Sequence, residues 1–130
     1  MKSLVFILLA TLGLGAQAAV TAHDPLPAKI LSCGGSIISE IGPRLEGDTN
    51  FETGAHVWLK NGGVTVAYQD DASLPAIKNS KVGDHVLMCL VYIPSGCPKG
   101  DDRGKIYTIT NLRTLESWTL PDSEHSCGGA

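Results

Sequence analysis

The stretch His56-Val57-Trp58-Leu59-Lys60-Asn61-Gly62-Gly63-Val64-Thr65-Val66-Ala67-Tyr68 decides the fold class. Two runs of β-branched and aromatic residues flank Asn61-Gly62, and asparagine followed by glycine tolerates the positive φ that a tight hairpin turn demands. The reading is two antiparallel strands. Val57 and Leu59 share one face of the first, and Val64, Val66 and Tyr68 share one face of the second.

Working outward, a second hairpin runs along Lys105 to Asn111, turns through Leu112-Arg113-Thr114 and returns along Glu116 to Leu120. Tyr107 and Ile109 lie on one face of its first strand, with Trp118 and Leu120 together on its second, and Pro121-Asp122 stops it. Between the hairpins, His85 to Ile93 is almost continuously apolar and lacks a helix cap, which predicts a strand covered on both faces at the centre of the sheet. Ser36 to Ile41 predicts a further strand, halted by Gly42-Pro43. Its alternation is imperfect, with Ile37 and Ile41 on one face and Ile38 and Glu40 on the other. The one helical option covers residues 73–79, where Ser73 precedes a proline near the first turn.

These elements predict an all-β domain, a small antiparallel barrel or sandwich, with at most one short helix around residues 73–79. A five-stranded barrel of the OB type is the best named candidate, because such folds often carry a helix between strands three and four. That likeness is architectural, and no residue motif accompanies it.

The amino terminus carries Lys2, an apolar run from Leu4 to Leu14, and the small-residue triplet Ala16-Gln17-Ala18. That order predicts a signal peptide over residues 1–18, cut before Ala19, since the run is too short for a spanning helix of roughly 20 residues. Residues 19–130 then form a single exported domain, periplasmic or secreted, with no membrane insertion after cleavage. Four cysteines remain: Cys33, Cys89, Cys97 and Cys127. An even count in a short exported chain predicts two disulfides, and the absence of a Cys-x-x-Cys pair argues against zinc. Four cysteines allow three connectivities. Cys89–Cys97 is disfavoured because the turn-like Pro94-Ser95-Gly96 displaces the two, and Cys33–Cys89 with Cys97–Cys127 is preferred, as a clamp of the domain ends on the central strand.

Without Lys2, nine basic residues face thirteen acidic ones, a net charge of −4. Such a balance opposes binding to nucleic acid or anionic membranes. No Gly-x-Ser-x-Gly elbow is present, and cysteines held in bridges cannot act as nucleophiles. His23, His56, His85 and His125 are scattered without metal-ligand spacing, and Asp70-Asp71 and Asp101-Asp102, which could offer calcium some of its oxygen ligands, read as turn formers. The chain therefore predicts no catalytic residue, metal or cofactor. The residues suited to recognition are Trp58, Tyr68, Tyr107 and Trp118, all within the two hairpins, and Arg113 at a hairpin tip.

The expectation is a nonenzymatic exported binding module, such as a periplasmic inhibitor or immunity-type protein acting on another protein. A small-ligand or oligosaccharide-binding barrel of the OB type is the alternative, and an enzyme of unknown type comes third. The export reading predicts that mass spectrometry of the mature native protein finds an amino terminus at Ala19 and no alkylatable sulfhydryl. An uncut amino terminus or four reactive thiols would remove it.

Overall fold

The computed structural model describes residues 23–129, so the expected signal segment 1–18 lies outside the described residues. The elements run β1 (Cys33–Pro43), β2 (Gly54–Leu59), β3 (Val64–Tyr68), α1 (Leu74–Asn79), β4 (His85–Tyr92), β5 (Ile106–Asn111) and β6 (Ser117–Pro121). All strand pairs are antiparallel, and their spatial order is β3-β2-β1-β4-β5-β6. The sheet curls into a half-barrel, nearly all β, with a single short helix among the described residues.

β1 serves two partners. Its first part, Cys33–Ile37, pairs with β4, and its second, from Ile38 to Pro43, pairs with β2. A bulge lies between Ile38 and Glu40. This accounts for the imperfect alternation, because Ile38 and Ile41, three positions apart, both pack into the core. A regular strand would send them to opposite faces, whereas one inserted residue restores the same face and bends the strand.

The β2–β3 hairpin forms with a longer loop than its sequence predicts. Leu59 N donates to Gly63 O at 2.8 Å and Gly62 N donates to Leu59 O at 3.0 Å. The loop is thus Lys60-Asn61-Gly62, in which Gly62 alone takes a positive φ, at 86°. Asn61 contributes through its side-chain oxygen, which accepts from Gly63 N at 3.1 Å. Three-residue hairpins favour this arrangement of a tight turn followed by glycine.

The inner face of the curled sheet is the core. Val57, Leu59 and Ala67 enter it from β2 and β3, Val86, Met88 and Leu90 from β4, and Tyr107, Ile109, Trp118 and Leu120 from the β5–β6 hairpin. α1 covers one end with Leu74, Ala76 and Ile77. β4 is central, beside β1, yet it is covered on one face only, contrary to the sequence expectation. Leu87 is exposed and Cys89 half-buried on its outer side, so the continuous apolar run reflects a central position without a second covering layer.

Both disulfides follow the preferred pairing, Cys33–Cys89 and Cys97–Cys127. The first joins directly opposed residues of β1 and β4. The second ties the loop before β5 to the segment after β6, rather than to the central strand. The two ends of the sheet meet at a seam, where Trp118 Nε1 on β6 donates to Thr65 Oγ1 on β3 at 3.1 Å. A buried indole needs such a partner for its N–H. Trp118→Ala is therefore expected to lower unfolding free energy by about 3–5 kcal/mol, whereas Trp58→Ala costs less than about 1 kcal/mol, as read from urea unfolding.

Candidate functional site

Strand parity sends two sets of side chains from the β2–β3 hairpin in opposite directions. Ala55, Val57, Thr65 and Ala67 are buried inward, and the pairs His56↔Val66 and Trp58↔Val64 lie outward, with Tyr68 further along β3. The outward row is unusually apolar for a solvent-facing sheet surface. Trp58 is 44% exposed and Tyr68 42% exposed.

Neighbouring elements build a cleft on this face. Arg44 follows β1 and is fixed by its backbone, N donating to Gly54 O at 3.1 Å, and by its side chain, Nε donating to Thr53 O at 2.7 Å. Its guanidinium lies 4.6 Å from the Tyr68 ring centroid, a cation–π contact, and reaches Glu124 Oε2 at 3.5 Å. The Tyr68 hydroxyl donates to Glu124 O at 2.7 Å. Asp122 to Glu124 thereby form a wall that leaves a cleft of about 300 Å³, with Trp58, Val64 and Val66 as its apolar lining and Arg44 and His56 at its polar rim. His56 Nε2 meets Glu40 Oε1 at 3.0 Å, and its ring stands edge-on to Trp58 at 6.4 Å between centroids.

The wall is braced on either side. Gly104 N donates to Asp122 Oδ1 at 2.8 Å and Asp122 N to Lys105 O at 2.9 Å. Beyond Glu124, Cys127 is bonded to Cys97, and Gly128 N donates to Asp101 Oδ2 at 2.9 Å. Asp101 also takes a two-pronged Arg103 contact, and Asp102 pairs with Lys105. Both carboxylates of this acidic pair are thus engaged by cations within their own loop. Among the described residues no three His, Cys, Asp or Glu side chains gather into a metal-holding group.

The five residues expected to serve recognition separate into three places. Trp58 and Tyr68 share the outer face described above. Tyr107 and Trp118, each 2% exposed, belong to the core, because their strands pair in the register Tyr107↔Leu120 and Ile109↔Trp118 with all four turned inward. Of the four hairpin aromatics, Trp58 and Tyr68 are therefore exposed on the outer face, and Tyr107 and Trp118 pack in the core. Arg113 sits at the β5–β6 turn as expected, but its guanidinium is directed inward to a buried carboxylate instead of outward. Arg44 and the Asp122–Glu124 wall have no local signal in the sequence, since strand pairing alone brings them to Tyr68.

Arg113 Nε and Nη2 each lie 2.7 Å from an oxygen of Asp84, which is buried, and Nη2 also donates to Asn79 O at 2.9 Å. Fully buried Asn111 donates from Nδ2 to Asp84 Oδ2 and Ser80 Oγ, both at 2.8 Å, and its Oδ1 accepts from Arg113 N and Thr114 N. The network staples the β5–β6 turn to the segment between α1 and β4, so its role is structural. Leu112 beside it remains exposed.

Comparison with known proteins returns no match among protein-family models, curated proteins or solved structures.

The Arg113 hydrogen bonds, aided by Asn111 and Lys81 N–H, hold the Asp84 carboxyl well below the usual carboxylate range against the opposing effect of burial. A depressed folded pKa contributes stability above the unfolded value of about 4, and that stability is lost as pH falls below it. Asp84→Asn should cost on the order of 2 kcal/mol at neutral pH and flatten the acid limb of the stability profile. Thr53 and Arg103 likewise hold Asp48 and Asp101 low, so part of the limb remains. Urea unfolding at stepped pH checks this, and an unaltered acid limb would contradict it.

Proposed function

We propose that this chain is an exported, nonenzymatic binding module that engages another protein through the outer face of β2 and β3. The observation that carries the reading is that Trp58 and Arg44 line one braced cleft, with Tyr68 stacked on Arg44 beside it. Tryptophan, tyrosine and arginine are the side chains most enriched where binding energy concentrates in protein interfaces. Here they stand on a sheet surface whose floor is Val64 and Val66, with a polar rim to set orientation. Because the wall and Arg44 are already held by hydrogen bonds and a disulfide, little ordering remains to oppose association. Two disulfides are compatible with an oxidising extracellular compartment. No helix among the described residues is long and apolar enough to cross a membrane.

A second reading, recognition of an oligosaccharide or small ligand, is favoured by topology. The order β3-β2-β1-β4-β5 with a helix between β3 and β4 resembles the OB layout, in which the face of strands two and three holds ligands. β6 is an addition to that five-stranded plan.

The two readings part in one experiment. Oxidised mature protein is crosslinked in periplasmic and culture extract beside its Trp58→Ala variant, while glycans are titrated against it in a thermal-shift assay. The protein-binding reading expects one stoichiometric partner whose capture falls by at least about tenfold in the variant, the loss of a hot-spot residue. Capture unaltered by Trp58→Ala would overturn it, and a concentration-dependent stabilisation by glycan would transfer the face to the second reading.

A further inference from the structure

Away from the β2–β3 face, the half-barrel has a larger concavity of about 490 Å³ between the end of α1, residues 80–82, and the loop joining β1 to β2. We infer that it is a binding site for a small organic anion with an apolar body. Ile41, Phe51 and Val82 supply its apolar surface, with fully buried Ile77 behind them, and Lys78 and Lys81 its charge. No carboxylate is among the residues that line it, although the chain carries thirteen Asp and Glu and a net charge of −3. Arg44, Arg103, Lys105 and Arg113 each have a carboxylate partner. Lys78 and Lys81, like Lys29, Lys60 and Lys99, form no ion pair among the described residues, but these two line one concavity, and the Lys78 ammonium stands 5.8 Å from the Phe51 ring centroid.

Both walls are fixed before any ligand arrives. Phe51 holds a positive φ of 61°, a rare conformation for a bulky residue, within a loop organised by Asp48. That carboxylate accepts from Asn50 N and Thr53 N, both at 2.9 Å, and from Thr53 Oγ1 at 2.7 Å. On the opposite side, Lys81 N donates to Asp84 Oδ2 at 3.0 Å, and Ser80 Oγ donates to Ala76 O at 3.0 Å. A volume of this size suits a small organic molecule. An apolar body would cover Phe51, Ile41 and Val82, and its anionic group would meet two ammonium groups that have no carboxylate to displace. A neutral molecule of the same shape gains only the first of these, and a cation is repelled.

The test is a pair of probes alike in shape and different in charge, naphthoate and naphthylmethanol, titrated into the oxidised full-length mature protein and followed by amide chemical shifts. Saturable naphthoate shifts at Phe51 and Ile77 to Val82 are expected, with naphthylmethanol binding at least about tenfold more weakly. The exposed pair Lys78→Gln and Lys81→Gln, made together, should leave the unfolding midpoint in place and weaken naphthoate by about tenfold, the combined effect of two solvent-accessible ion pairs. Trp58→Ala should leave naphthoate binding unchanged, which separates this site from the face proposed for a protein partner. Equal affinity for the two probes, affinity indifferent to the lysine substitutions, shifts centred on Trp58, or no saturation at millimolar naphthoate would each overturn the inference.

Discussion

The fold depends on one strand belonging to two partnerships. β1 gives its first residues to β4 and its last to β2, and the bulge at Ser39 lets a single backbone turn from one to the other. Everything else hangs from that division: the β2–β3 hairpin on one side, the β4–β5–β6 meander on the other, and a shared interior between them. Cys33–Cys89 reinforces the β4 side, and Lys60 N donating to Ile37 O at 2.9 Å ties the hairpin loop back to the same strand. Without the bulge, Ile38 and Ile41 could not both enter the interior, and the sheet would lose the curvature that encloses it.

The same parity that fills the interior places two aromatics on the outer face. Inward positions of β2 and β3 hold Ala55, Val57, Leu59, Thr65 and Ala67, and Thr65 meets Trp118 from across the seam. The larger residues Trp58 and Tyr68 fall on the opposite parity and face out. The core and the outer face are therefore linked choices. A one-residue slip of the hairpin would place both large aromatics inside and expose the residues that now meet Trp118.

Much of this architecture was legible because period-two patterning and turn chemistry are local. Asn61-Gly62, the apolar run at His85, and the alternation of Tyr107 and Ile109 against Trp118 and Leu120 each specify a strand without help from distant residues. The disulfide pairing was legible in part, since the turn at Pro94 to Gly96 disfavours only Cys89–Cys97 and leaves two of the three connectivities. The candidate site was only half legible. Alternation says that Tyr68 and Tyr107 each share a face with their neighbours two positions away, but not which face looks inward. That depends on the partner strands, and it divided the expected aromatics into two exposed and two buried. Arg44 and Arg113 show the same limit, for their partners Glu124 and Asp84 lie 80 and 29 positions away in sequence. No local rule connects them.

A final consequence follows from the seam. An open sheet ends in two strands whose backbone donors and acceptors can recruit other chains into fibrils or swapped dimers. In this protein the terminal strands β3 and β6 are turned towards each other and latched through the Trp118 indole and the Thr65 hydroxyl. The contact is made by side chains within the interior, where a closed barrel would have a backbone ladder. One interior indole thus joins the first and last strands of a sheet that does not complete the ring.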